Sequence, residues 1–100
     1  MNETPKPEVG SIASADLTIP NAEEVRDFYR EVVGWKHSPV DMGGYSDFNM
    51  LTPASDKSTA GMCHARGVNE ELPPQWLIYI TVENIEKSAA RCIELGGKLL

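Results

Sequence analysis

The chain has 100 residues, 41% hydrophobic and 24% charged, which is the balance of one folded domain and not of a disordered segment. Nine Lys and Arg against fifteen Asp and Glu give a net charge of −6 and a pI of about 4.8, which argues against a nucleic-acid partner and against an anionic membrane surface. No apolar run approaches the roughly 18–20 residues of a membrane span, and the first seven residues do not read as an export signal, so a cytoplasmic location is expected.

The first ten residues, with Pro5, Pro7 and Gly10, read as a flexible leader. From Ser11 the chain alternates, Ala13, Ala15, Leu17 and Ile19 on one face and Ile12, Ser14, Asp16 and Thr18 on the other, which is the period of a half-buried strand. Pro20 stops it, Asn21 is placed as a helix N-cap, and Glu24 stands three residues on in a capping-box position. Val25, Phe28, Tyr29 and Val32 form one apolar stripe, Glu23, Arg26, Asp27, Arg30 and Glu31 the wet side, and Gly34 the left-handed stop. Trp35 to Met42 reads as a strand with Pro39 marking an edge or bulge. After the Gly43-Gly44 turn, Tyr45 to Thr52 is the returning strand. A polar loop leads to a short strand over Ala60 to Arg66, and 67–75, with Pro73-Pro74, has linker composition. Trp76 to Val82 is strongly β-prone. Asn84 then caps a second helix through Leu95, whose buried stripe is expected at Ile85, Ala89, Cys92 and Ile93. Gly96-Gly97 ends it, and Lys98-Leu99-Leu100 opens another strand. The two cysteines, Cys63 and Cys92, lie outside any CxxC pattern and are expected to be reduced, buried small hydrophobes.

The pattern repeats. A shift of 63 residues (84 − 21) lays Leu17-Thr18-Ile19-Pro20-Asn21 on Ile80-Thr81-Val82-Glu83-Asn84, Glu23 on Glu86, Glu31 on Glu94 and Gly34 on Gly97. The organisation is therefore a βαβββ module over 11–66, a linker over 67–75, and the opening βα of a second module over 76–100. The second module is expected to continue beyond Leu100 or to be finished by another chain, and pairing of an exposed sheet edge makes a homodimer the expected assembly.

A βαβββ unit that begins its own repeat resembles the glyoxalase/bleomycin-resistance/extradiol-dioxygenase superfamily, the vicinal oxygen chelate proteins. The resemblance is carried by Asp16-Leu17-Thr18-Ile19-Pro20-Asn21, by Phe28-Tyr29-Arg30-Glu31-Val32-Val33-Gly34-Trp35, by Gly61, by Trp76 to Asn84, and by Glu94-Leu95-Gly96-Gly97. It implies an α+β fold with a curled mixed sheet, helices on the convex face and a ligand in the concave one. Phe28, Tyr29 and Trp35 are then core residues. Ala13, Ala15, Leu17 and Ile19 lie under the first helix, and Ile78, Ile80 and Val82 under the second. Ser14, Asp16 and Thr18 face the cavity, matched in the repeat by Leu77, Tyr79 and Thr81. In the hairpin, Tyr45, Asp47, Asn49 and Leu51 share one face and Ser46, Phe48 and Met50 the other, and the sequence leaves open which is inside. The candidate ligand-binding residues are Ser14, Asp16, Tyr45, Asp47, Leu77 and Tyr79, with Trp76 beside them.

Metal-dependent members of this superfamily bring a His from the first strand of each module and carboxylates from the closing strands. Seven residues before each Asn cap stand Ser14 and Leu77, and the fourth strand has neither Glu nor Asp, so no metal and no other cofactor is expected. Candidate acid–base groups are Asp16, whose pKa burial would raise, and His64, on the strand face of Met62. His37 is expected to be exposed. No GxSxG, P-loop, dinucleotide fingerprint or HExxH occurs. The leading functional expectation is a metal-free domain binding a small, aromatic or planar molecule. A metal-dependent lyase, isomerase or dioxygenase, and a dimerisation module without ligand, are the alternatives.

Overall fold

A computed structural model describes residues 7–99. The order of elements is β1 (Ile12–Ile19), α1 (Ala22–Val33), β2 (Lys36–Asp41), β3 (Ser46–Leu51), β4 (Ser58–His64), a 3-10 turn at Gly67–Asn69, β5 (Trp76–Ile80) and α2 (Ile85–Glu94). The five strands form one sheet in the order β2-β3-β4-β1-β5. β2 and β3 make an antiparallel hairpin, β3 pairs antiparallel with β4, and β4 lies parallel to β1. This is the expected α+β arrangement.

The core occupies one face of this sheet. Phe48 stands opposite Met62, and Met62 opposite Leu17, so one row of apolar side chains crosses three strands, with Met50 opposite Ala60 beside it. Leu17, Ile19, Ala22, Phe48, Met50, Ala60 and Met62 are buried, and Val25, Tyr29, Trp35 and Trp76 pack against them. Met50 and Met62 are wholly buried, each contributing about 1.5–3 kcal/mol through removal from water. Tyr29 stacks on Trp35 at 5.3 Å between ring centres, and the Trp76 indole N–H donates to the Tyr29 hydroxyl at 3.0 Å. Trp76 therefore belongs to the core side, not to the candidate cavity lining.

Several expectations are corrected here. Phe28 is exposed, as is Val32, because only the Val25–Tyr29 edge of the helical stripe meets the sheet. Ala13 is exposed and Ala15 half-buried, so of the inward row on β1 only Leu17 and Ile19 are buried. His37 is half-buried, its ring edge-on to Phe48, and burial foremost pushes its pKa below the ordinary value. Asn21 makes no side-chain cap: its backbone is not extended (φ −103°, ψ 52°), so its side chain is not aimed at the first-turn N–H groups. Gly34 performs as read, in the left-handed conformation (φ 78°), its N–H donating to the Arg30 carbonyl.

The chain packs as two compact units, Ser14–Tyr79 and, separately, residues 7–13 with 80–99. In the second, the Gly10 N–H donates to the Thr81 carbonyl at 2.8 Å and the Thr81 N–H to the Ser11 carbonyl at 2.9 Å. Asn84 has the extended backbone that Asn21 lacks, and its side chain accepts from the Lys87 N–H at 3.0 Å. The two helices start 63 residues apart (85 − 22), the offset of the sequence repeat. The left-handed glycine after α2 is Gly96, one place earlier than the repeat implies. Of the α2 stripe only Ala89 is half-buried; Ile85, Cys92 and Ile93 are exposed, as are Ile78, Ile80 and Val82. Amphipathic spacing identifies the face that could be covered, not what covers it. Lys98 and Leu99 form no strand; Leu100 and the first six leader residues lie outside the described residues.

Candidate functional site

Register shows which face of the hairpin meets the core. Phe48 and Met50 belong to the core face, so Asp47 and Asn49 alternate to the other side, where Asn49 stands opposite Gly61 and Gly61 opposite Asp16. Thr18 follows opposite Cys63. Ser14 shares the Asp16 face of β1 and Leu77 the Tyr79 face of β5 by strand alternation, and both are half-buried.

On this face the Tyr79 hydroxyl donates to Asp16 Oδ2 at 2.9 Å. Gly61 makes the floor under the carboxylate: a Cβ there would overlap Asp16 Oδ1. The hydrogen bond to Asp16 foremost, then burial and the Asp16 charge, push the Tyr79 phenol above its ordinary pKa, so it remains a donor at neutral pH. Cys63 is half-buried, and burial first, then the charges of Asp47 and Asp16, push its thiol up to about 11. A thiol so held is a poor nucleophile. Asp16 and Tyr79 therefore offer a fixed acceptor and an aromatic surface, with Thr18 and Cys63 beside them.

Tyr45 belongs to a second cluster, which Asp47 reaches from the Asp16 face, where its charge also acts on Cys63. Asp47 is 7% exposed, and its Oδ1 accepts from the His64 backbone N–H and stands 2.9 Å from His64 Nδ1. The other ring nitrogen, Nε2, stands 2.8 Å from Glu23 Oε1 in the first turn of α1. The Tyr45 ring meets the imidazole edge-on at 5.5 Å, and the Arg66 guanidinium lies 3.8 Å over that ring. His64 is thus turned toward α1 and does not join Asp16. Glu23, assigned to the wet side of the helix by its spacing, is the residue that sequence reasoning missed. A contact across 41 positions between a helix turn and a strand end has no local signature.

The donor chemistry of the Asp16 face does not suit the divalent ion of the metal-dependent proteins that the sequence resembles. Ser14 and Leu77 occupy the first-strand positions, β4 presents Gly61 and a protonated Cys63, and among the described residues no group of three or more His, Cys, Asp or Glu converges to hold an ion. No helix among the described residues is long and apolar enough to cross a membrane.

A sheet of this topology with its helix packed on one face defines a class, and comparison with known families agrees. The model of the Glyoxalase/Bleomycin resistance protein/Dioxygenase superfamily matches residues 11–100, and the chain belongs to that superfamily. Comparison with curated proteins and with solved structures returned no match.

Proposed function

We propose that the Asp16–Tyr79 face of the sheet binds a small molecule, aromatic or planar in shape and carrying a hydrogen-bond donor, without a metal. The observation that carries this reading is the Tyr79–Asp16 hydrogen bond laid over Gly61. It fixes a carboxylate acceptor on the sheet face opposite the core, where ordered acceptors contribute orientation and selectivity to a binding site. The half-exposed Tyr79 ring supplies a surface on which a planar group can stack. The high pKa of Cys63 and the turn of His64 toward α1 leave this face without a nucleophile or an imidazole, which favours binding over catalysis.

The test is a thermal-shift screen of planar and amine-bearing compounds, followed by calorimetry on the hits. Asp16→Ala and Tyr79→Ala should each weaken binding at least about tenfold, the first by loss of a charge-assisted contact and the second by loss of the stacking surface. Hits whose affinity neither substitution changes would remove the site from this face.

A second reading has its own observation: β5 is an outer strand of the sheet and carries exposed Ile78. Apolar side chains on an open edge support pairing with another copy of the chain. Sedimentation equilibrium should then show a dimer that Ile78→Lys weakens; a monomer at all concentrations would rule this out.

A further inference from the structure

We infer that His64 is a proton-dependent clasp: as an imidazolium it fastens the first turn of α1 to the β3–β4 hairpin, and on losing a proton it lets Glu23 go. Hydrogen-bond capacity fixes the protonation state of this contact. An imidazole held between two carboxylate oxygens at 2.8 and 2.9 Å can satisfy both contacts only when both ring nitrogens carry protons. A neutral ring has one N–H, and its other nitrogen would set a lone pair against an oxygen. The two acceptors are unequal. Asp47 is buried and also receives the His64 backbone N–H, so its position is fixed within the sheet, whereas the Glu23 side chain is 57% exposed and free to turn to water. The Nδ1–H therefore stays with Asp47, and Glu23 is the arm that opens.

The surroundings set the sign. From α1 the facing charged groups are Glu23 and Arg26, whose guanidinium lies 4.6 Å over Phe48. From β3 and the residue before it come Asp47 and Tyr45; from β4, the protonated Cys63; and beyond the strand, Arg66 over Tyr45. β2 adds His37, edge-on to Phe48. Burial opposes a charge on His64, but the hydrogen bonds to Asp47 and Glu23 and their negative charges outweigh it, so its pKa lies above the ordinary value. The clasp is thus fully closed on the acid side of an ordinary histidine and lost as pH rises through the raised His64 value. Glu23 is shifted the other way, by its own backbone N–H first and then by His64, so its part is lost only as pH falls through a value below that of an ordinary glutamate. Between those limits the fastening holds. This inference is independent of ligand binding at Asp16 and Tyr79.

The experiment is an NMR titration of the ¹⁵N-labelled full chain from about pH 5 to 9, following both histidine rings and the backbone signals of residues 22–25. His64 should show both ring nitrogens protonated near its acid limit and titrate above about 6.5, while His37 titrates below it. The first-turn signals should move with the His64 midpoint. Glu23→Gln, a change at an exposed position that spares the fold, should lower that midpoint and uncouple residues 22–25 from it. A His64 midpoint at or below that of a free histidine, first-turn signals that ignore it, or a midpoint unmoved by Glu23→Gln would each overturn the clasp.

Discussion

Asp16 and Tyr79 stand 63 residues apart, the offset of the internal repeat, and their side chains meet at 2.9 Å. Positions related by the repeat are thus in direct contact, an acceptor in the first copy facing a donor in the second. The candidate site is built from this pair, and its consequences can be measured one residue at a time.

Tyr79→Phe removes only the hydroxyl. Because the pair is partly open to water, the loss of stability should be about 0.5–1 kcal/mol by urea denaturation, below that of a buried charge-assisted bond. Affinity for any ligand of this face should fall by more than that small change in stability implies.

Gly61→Ala tests the floor beneath Asp16. The added methyl overlaps the carboxylate and obliges Asp16 to swing away from Tyr79, at a cost of about 1–2 kcal/mol. In an Asp16→Ala background the same substitution should cost clearly less. A double-mutant cycle by denaturant unfolding measures the coupling, and strict additivity would place the clash elsewhere.

Met62→Ala should destabilise the protein by about 2–5 kcal/mol, since a wholly buried side chain leaves a cavity at the centre of the Phe48–Met62–Leu17 row. Phe28→Ala, at a position whose periodicity promised the core, should cost less than about 1 kcal/mol because the ring is 55% exposed. Thermal unfolding of the two variants distinguishes a core methionine from an exposed aromatic.

The two thiols should differ in reactivity. With its pKa pushed up to about 11, Cys63 has a thiolate fraction on the order of 0.001 at pH 8, while Cys92 is exposed. Alkylation followed by peptide mass analysis should label Cys92 first. Asp47→Asn removes one of the charges that raise the Cys63 pKa and should speed its labelling.

Much of the fold was legible because its signals are local. The alternation of β1, the Gly34 stop and the Asn84 cap each depend on residues a few positions apart, the 63-residue offset is the recurrence of those local signals, and the observed elements lie within a few residues of those readings. What covers a face is not local. Phe28 and Cys92 sit on well-formed amphipathic stripes, yet both are exposed, since spacing defines a stripe and only tertiary contact decides its burial. The site divides in the same way. Asp16 and Tyr79 could be paired from the repeat, whereas Tyr45 and Asp47 joined His64 through register and strand ends. Glu23 carried no signal at all, because a first-turn glutamate already has an adequate explanation in the helix dipole.

The central claim is that the face bearing Asp16 and Tyr79 receives a small molecule. Its most direct test is amide chemical-shift mapping of the full chain with a calorimetrically confirmed hit. Saturable shifts centred on Asp16, Thr18, Gly61, Cys63 and Tyr79, abolished in Asp16→Ala, are the expected result. Shifts confined to other residues, or unchanged by that substitution, would contradict it.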